Sequence, residues 1–241
     1  MLDAVFISDL HLNAEEPQLL SRFNAFVAWA VDNTHAVYVL GDLFHVWAGD
    51  DCANSWSLAI ADQFQHLAEH GIQLYFMPGN RDFLLGSSFA KQAGFQLLND
   101  PTVITLDAQS ILLAHGDAYC VLDKAHQRFR RITRNAWFIS LFLSIPAKWR
   151  AHLVGKVRAQ SQRNRNKSPL VWDVVPHALI EDMQRHHLNM LIHGHIHKPG
   201  LRKHQQKEGD YRQFVLSDWD DIPQILGYNK STGFKFIQPI A

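Results

Sequence analysis

Leu188-Asn-Met-Leu-Ile-His-Gly-His-Ile-His197 is an apolar run of strand length that ends in three histidines at alternate positions. The same grammar recurs along the chain. Ala4-Val-Phe-Ile-Ser8 ends at Asp9-Leu-His11, Ala36-Val-Tyr-Val-Leu-Gly41 at Asp42, Gln73-Leu-Tyr-Phe-Met-Pro-Gly79 at Asn80, and Ser110-Ile-Leu-Leu-Ala114 at His115-Gly-Asp117. Runs rich in Val, Ile, Leu and aromatics, bounded by Gly, Pro or Asp, are the signature of buried strands. Between them, Pro17 to Asp32 places Leu19, Leu20, Phe23, Phe26, Val27 and Ala30 at three- and four-residue spacing, and 55–70 and 176–187 fit helices too. Strands alternating with helices predict an α/β fold built in layers. In such folds functional groups gather just beyond the carboxyl ends of the strands. Gln213-Phe-Val-Leu-Ser217 and Gly233-Phe-Lys-Phe-Ile237 add strands that deliver no ligand.

The chemistry follows from the groups those strand ends deliver. Asp9, His11, Asp42, Asn80, His115, His195 and His197 are seven oxygen or nitrogen donors. One zinc site takes about four ligands, so seven suit two adjacent ions that share a carboxylate and keep positions open. Carboxylate, amide and imidazole donors without thiolate favour Mn²⁺, Fe²⁺ or Zn²⁺. Paired ions about 3.5–4 Å apart can bind a phosphoryl group, activate water and neutralise developing charge. With 15 histidines in the chain, one alone carries little information; the ordered set at five strand ends carries the reading. Asp82 and Asp117 read as supporting or turn residues, and His193 as a strand cap that ligates nothing.

In this order D-x-H, G-D, G-N, H and G-H-x-H resemble the calcineurin-like metallophosphoesterase superfamily. Within it, Ser8-Asp-Leu-His-Leu12, Gly41-Asp-Leu-Phe44 with Trp47 and Gly49-Asp-Asp51, Gly79-Asn-Arg-Asp-Phe83, His115-Gly-Asp117 with Cys120 and Asp123, Trp172-Asp-Val174 and Leu191-Ile-His-Gly-His-Ile-His-Lys-Pro199 are similar to the family of bacterial UDP-2,3-diacylglucosamine hydrolases. Gly-Asn-Arg-Asp is the most specific element, since the wider superfamily has Gly-Asn-His there. The resemblance covers nearly the whole chain. It implies a single domain over 1–241 with an αββα sandwich and a helical lid inserted at 124–167. It implies two divalent ions, Mn²⁺ foremost: Asp9, His11 and His197 for one, Asn80, His115 and His195 for the other, and Asp42 bridging. It assigns catalysis to Asp42, Asn80 and Arg81, with Arg81 neutralising a diphosphate. It assigns contacts with a nucleotide-sugar lipid to Asn80, Arg81, Asp123, Ser161, Asn164, Lys167 and His195. The Ser161 to Lys167 stretch is one residue shorter than the family pattern, and His45 stands where an acidic residue is expected. The implied reaction splits a diphosphate of the lipid A route into UMP and a diacylglucosamine 1-phosphate.

Composition narrows the alternatives. The 241 residues are 47% hydrophobic and 19% charged, which excludes disorder and leaves ample material for a core. Lys plus Arg and Asp plus Glu number 23 each, which argues against a globally basic nucleic-acid binder, and no nucleic acid is expected as a partner. That neutrality hides an asymmetry: Lys124 to Lys167 holds twelve basic residues and no acidic one, leaving 11 basic and 23 acidic residues elsewhere. Inside it, Trp137-Phe-Ile-Ser-Leu-Phe-Leu-Ser-Ile145, Pro146 and Trp149 form an apolar cluster. Basic residues flanking a large apolar face are the composition of an interfacial helix; the alternative is a helix packed on the core with a solvated basic back. With the resemblance, the first reading gives an acyl-lined lid whose lysines and arginines meet an anionic inner-membrane surface.

Two cysteines, Cys52 and Cys120, suggest a reducing compartment. The N-terminal residues lack a signal-like pattern, and Ala136–Pro146 is too short to span a bilayer. The expectation is therefore a cytoplasmic protein lying peripherally on the inner membrane's cytoplasmic face; the sequence carries no signal for oligomeric state. Two other readings stay open. One is a different metallophosphoesterase, such as a dinucleoside polyphosphate hydrolase or nuclease. The other is a scaffold of the same fold without metals.

Overall fold

Ala4 and Phe6 of strand β1 (Ala4–Ile7) point to one side, Val5 and Ile7 to the other, and all four are buried. That alternation on a strand with no solvent face decides the layering. The computed structural model describes residues 1–163 and 169–238. After β1 come α1 (Pro17–Asn33), β2 (Ala36–Val39), α2 (Ser55–Glu69), β3 (Gln73–Phe76), α3 (Ser87–Ala93), β4 (Phe95–Leu97), β5 (Thr102–Leu106) and β6 (Gln109–Ala114). Then follow α4 (Lys124–Thr133), α5 (Ala136–Leu143), α6 (Ala147–Arg163), α7 (Pro169–Trp172), α8 (Pro176–Arg185), β7 (Met190–His193), β8 (Gly200–Gln206), β9 (Gly209–Val215), β10 (Ile225–Asn229) and β11 (Gly233–Ile237).

Two sheets form, in the orders β11-β10-β1-β2-β3-β4 and β5-β6-β7-β9-β8. β1 through β4 pair in parallel, as do β6, β7 and β9, while β10, β11, β5 and β8 close the sheets antiparallel. Phe6, Tyr38, Leu40, Ile111, Leu113 and Ile192 fill the layer between the sheets. Val5, Ile7, Val37, Val39, Leu74 and Phe76 turn the other way, onto Phe23 and Phe26 of α1 and Ile60 and Phe64 of α2. Leu112 and Leu191 face Leu179, Ile180 and Met183 of α8. The result is the αββα order. Emptying one buried phenylalanine position in such a layer costs about 3–5 kcal/mol.

The helix ends follow local chemistry. Pro17 and Pro176 each open a helix at the first turn, where proline's missing N–H costs nothing. Asn54 and Ser57 form a reciprocal capping box at the start of α2. The helix expected over 176–187 ends at Arg185.

One expectation for the basic segment needs correction. Lys124, Arg128, Arg131, Lys148 and Lys156 are exposed, but Arg130 and Arg134 turn mostly inward onto protein partners and Arg150 is buried, so not every basic residue of the segment stands on its surface. Arg150 is 1% exposed; it donates to the carbonyls of Ala48 and Ile145 and pairs with Asp51. A buried guanidinium keeps its charge and must be paired, so these arginines are spent on the fold. α5 divides similarly. Ile139 and Phe142 pack against the helix-side core, whereas Trp137 is 86% and Leu141 71% exposed. Among the described residues no helix is long and apolar enough to cross a membrane.

Candidate metal centre

The five ligand-bearing loops follow β1, β2, β3, β6 and β7, so three come from one sheet and two from the other. Their carboxyl ends meet along the seam between the sheets. There Asp9, His11 and His197 bring one donor atom each within 4.8 Å of one another, and so do Asp9, Asp42 and His115. His11 Nε2 lies 3.3 Å from Asp42 Oδ2, His197 Nε2 3.3 Å from Asp9 Oδ1, and His115 Nε2 3.7 Å from Asp42 Oδ1. The Asn80 amide oxygen is 2.9 Å from His115 Nε2, and the His195 ring is 5.1 Å from that of His115. Arg81 Nε sits 3.1 Å from Asp42 Oδ2.

The backbone is bent to achieve this. Asp9, His11, Asp42, His195 and His197 all have φ between 50° and 70°, the left-handed region that side chains avoid. Such strain persists only where the surroundings over-determine it, and it concentrates at functional sites. The glycines in the motifs are there for close approach. A Cβ on Gly79 would collide with the Asp42 carboxylate, and one on Gly194 with Ser8 and Asp9.

Two features test whether the residues suit cations. Asp9 Oδ1 is buried without a hydrogen-bond donor, while Oδ2 accepts from Ser8 Oγ at 2.7 Å and the His195 N–H at 2.8 Å. An orphaned carboxylate oxygen between two imidazoles is costly unless something positive sits there. The imidazoles themselves respond to the anionic cradle. Burial opposes charge on His115, but Asp42, Asp9 and Asp117 prevail and push it up to about 9. Burial opposes charge on His197, but the carboxylates of Asp218 and Asp9 outweigh it and push the imidazole up to about 10. His195, with burial first and the charge of His115 next, falls to about 3 and stays neutral. Asp42 remains ionised despite burial, held down by His115 and His11. Oxygen and imidazole donors in an anionic, buried cradle fit divalent cations.

A cavity of about 450 Å³ opens beside this cradle, lined among others by Asp42, Asn80, Arg81, Asp123, Trp172 and His195. A second, of about 730 Å³, lies toward α1 and His45, and Arg81, Arg158 and His197 line both. Asp123 also caps α4 by accepting the His126 N–H at 3.1 Å. The Ser161 side chain, Asn164 and Lys167 lie outside the described residues.

Residues 3–199 match the family model described as calcineurin-like phosphoesterase. The chain belongs to that family. Curated relatives of this phosphoesterase named UDP-2,3-diacylglucosamine hydrolase include one from Aeromonas hydrophila, 43% identical over 226 residues that cover 93% of this chain and 94% of the relative. Another, from Haemophilus influenzae, is 40% identical over 240 residues, 99% of this chain and 100% of its own. A third, from Vibrio cholerae, is 36% identical over 238 residues, 98% and 97%.

Around the cradle of this phosphoesterase stand supporting groups, of which Asp218 and the Leu40 carbonyl lie beyond motif reading, while in the sequence Asp82 reads as a supporting residue and His193 as a strand cap. Asp218 Oδ2 takes the His197 Nδ1 proton at 2.9 Å and so leaves Nε2 facing Asp9. It lies past β9 and beyond the matched region, where no ligand pattern marks it. The Leu40 carbonyl takes His115 Nδ1–H at 2.9 Å in the same manner. Partners of this kind fix which ring nitrogen is free to ligate. Asp82 accepts N–H groups from Gly79, Leu43 and Asp42, at 2.7, 2.7 and 3.3 Å, and thereby ties the loops after β2 and β3 together. Burial, with the nearby Asp42 charge, pushes its carboxyl up to about 6. His193 bonds the Gly194 carbonyl and Gln213.

Proposed function

We propose that this phosphoesterase hydrolyses the pyrophosphate bond of UDP-2,3-diacylglucosamine, yielding UMP and 2,3-diacylglucosamine 1-phosphate for lipid A synthesis. The observation that carries the reading is 36–43% identity over nearly the whole chain to relatives of that name. Asp9, His11 and His197 hold one divalent ion, Asn80, His115 and His195 a second, and the Asp42 carboxylate serves both. Manganese suits this thiolate-free set of hard and borderline donors. When bound, two such ions supply Lewis acidity to phosphoryl oxygens and acidify water near neutral pH.

The chain's own groups do the rest. Arg81, anchored through Nε on Asp42, turns its remaining N–H groups toward the diphosphate and neutralises charge there. Asn80, Arg81, Asp123 and His195 border the cavity of about 450 Å³ and contact the sugar phosphate, with Ser161, Asn164 and Lys167 contributing from the insertion. Asp218 and Leu40 keep two imidazoles in ligating orientation, and Asp82 keeps Asp42 and Asn80 in register.

The chain works as one domain in which 124–167 is a helical lid. Its exposed Trp137, Leu141 and Trp149 supply an apolar face, and Lys124, Arg128, Arg131, Lys148 and Lys156 a basic border, for a lipid substrate at the cytoplasmic face of the inner membrane. The double variant Trp137→Ser, Leu141→Ser removes exposed apolar surface without opening the core. It is expected to sediment about tenfold less with anionic vesicles and to lose turnover of the diacylated substrate in proportion, while a soluble phosphodiester is cleaved at the original rate. Equal loss on both substrates would assign this face to folding.

Incubation with UDP-2,3-diacylglucosamine and, separately, with a diadenosine polyphosphate, followed by ³¹P NMR of the products, tests the activity. UMP from the first with no nucleotide from the second is the expected result. The reverse outcome identifies a nucleotide hydrolase.

A further inference from the structure

Helix α4 is strongly basic, yet Arg130 within it and Arg134 at its C-terminal cap turn mostly inward. Arg134 directs one nitrogen at two backbone carbonyls, Pro78 at 3.0 Å and Gly79 at 2.9 Å. Gly79 immediately precedes Asn80. Arg130 spans two carboxylates, Asp100 at 2.8 Å and Asp117 at 3.1 Å. Asp100 in turn accepts the backbone N–H of His115 at 3.0 Å, and Asp117 lies two residues past His115. From the same helix, the His126 ring stacks against that of His195 with centroids 5.8 Å apart. All of these contacts converge on the loops of Asn80, His115 and His195. Among the described residues, the hydrogen bonds and ion pairs that α4 and Arg134 make outside the helix reach the loops after β3 and β6 together with Asp100, and none reaches the Asp9, His11 or His197 side chains themselves.

We infer that Arg130 and Arg134 are positioning residues for one half of the metal centre. Through backbone carbonyls and two carboxylates they set the distance between Asn80 and His115, so the affinity of one ion depends on a helix of the lid and that of the other does not. The inference rests on the dinuclear reading above. Its physical basis is that a ligating amide and a ligating imidazole on separate loops have no direct covalent tie. Two guanidinium groups one helical turn apart, Arg134 on the carbonyls before Asn80 and Arg130 on the carboxylates beside His115, with Asp100 within 3.9 Å of Arg134 as well, remove the loops' relative freedom before an ion arrives. Arg134 supplies two donors from one nitrogen to adjacent carbonyls, and its charge strengthens both bonds.

The test is titration of metal-free full-length protein with Mn²⁺, followed by calorimetry and by electron paramagnetic resonance. Wild-type protein is expected to take two ions per chain and to give the spectrum of a spin-coupled pair. Arg134→Ala is expected to bind the first ion as before and the second about 10–100-fold more weakly, the usual cost of losing an outer partner. At two equivalents of Mn²⁺ its spectrum is then that of isolated ions. Arg134→Lys regains much of the second affinity, because an ammonium still reaches both carbonyls. If Arg134→Ala does not fold, Arg130→Gln carries the same expectation.

A lowered thermal midpoint with both affinities intact, or equal weakening of both ions, would overturn the assignment and reduce the contacts to packing. Fewer than two ions in the wild-type protein would remove the dinuclear reading itself, and the inference with it, whatever the variants do.

Discussion

Replacing Asp42 with alanine is expected to abolish hydrolysis and to strip the centre of more than one ligand's worth of metal. The carboxylate has one oxygen 3.3 Å from His11 Nε2 and the other 3.7 Å from His115 Nε2, so it faces both halves of the cradle. It also receives Arg81 Nε and the Arg81 N–H. In the proposed arrangement its removal therefore loosens both ion sites together and releases Arg81. A loss of about 4 kcal/mol of transition-state charge stabilisation corresponds to roughly a thousandfold in rate, and we expect at least that. Asp42→Asn should recover little, since an amide cannot neutralise two cations. Metal analysis beside the assay decides the matter: turnover and two bound ions both surviving in Asp42→Ala would remove the shared-carboxylate assignment.

Arg81→Ala should separate binding from chemistry. In the proposed arrangement Arg81 serves the substrate and not a metal; its Nε leans on Asp42, and its Nη1 lies 3.4 Å from His45 Nδ1 at the wall shared by the two cavities. Loss of one fixed donor to a developing phosphoryl charge typically costs about 10²–10³ in turnover. We expect a decrease of that size with two ions retained and Mn²⁺ affinity within about tenfold of the original. Arg81→Lys should restore only part of the rate, because the fork that grips Asp42 and substrate at once is gone. A variant that loses its metal as completely as Asp42→Ala would make Arg81 a structural prop.

Much of this was legible in the chain itself. β1, β2, β6 and β7 announce themselves because both of their faces are buried, so they read as continuous apolar runs with a polar stop, and β3, exposed only at Gln73, keeps the same grammar. β10 is buried as well, but Gly227 and Tyr228 break its apolar run. β4, β5 and β8 escaped notice for another reason. They lie at sheet edges, and β8, Gly-Leu-Arg-Lys-His-Gln-Gln, alternates exposed and half-buried positions without an apolar face. The donor types were readable from spacing. The left-handed backbone at Asp9, His11, Asp42, His195 and His197 was not, since nothing in those residue types demands it. Asp218 was illegible because its role depends on where β9 delivers the chain, a matter of topology. The inward turn of Arg130, Arg134 and Arg150 was hidden for a third reason: twelve basic residues in one stretch of sequence look alike until packing sorts them.

The seam between the two sheets has a mechanical consequence. Asp9, His11 and Asn80 hang from one sheet and His115, His195 and His197 from the other, so each ion in the proposed arrangement is gripped from both sides. A pair of ions there behaves as two rivets through two plates that otherwise meet through apolar side chains and a few hydrogen bonds, such as His115 to the Leu40 carbonyl and the His195 N–H to Asp9. Sliding one plate by a single residue, 3.3 Å or so, would shear both rivets. The loaded protein should therefore open as one piece, with amide protons deep in β1 and β7 exchanging at a common, slow rate, and the stripped protein should part along the seam first.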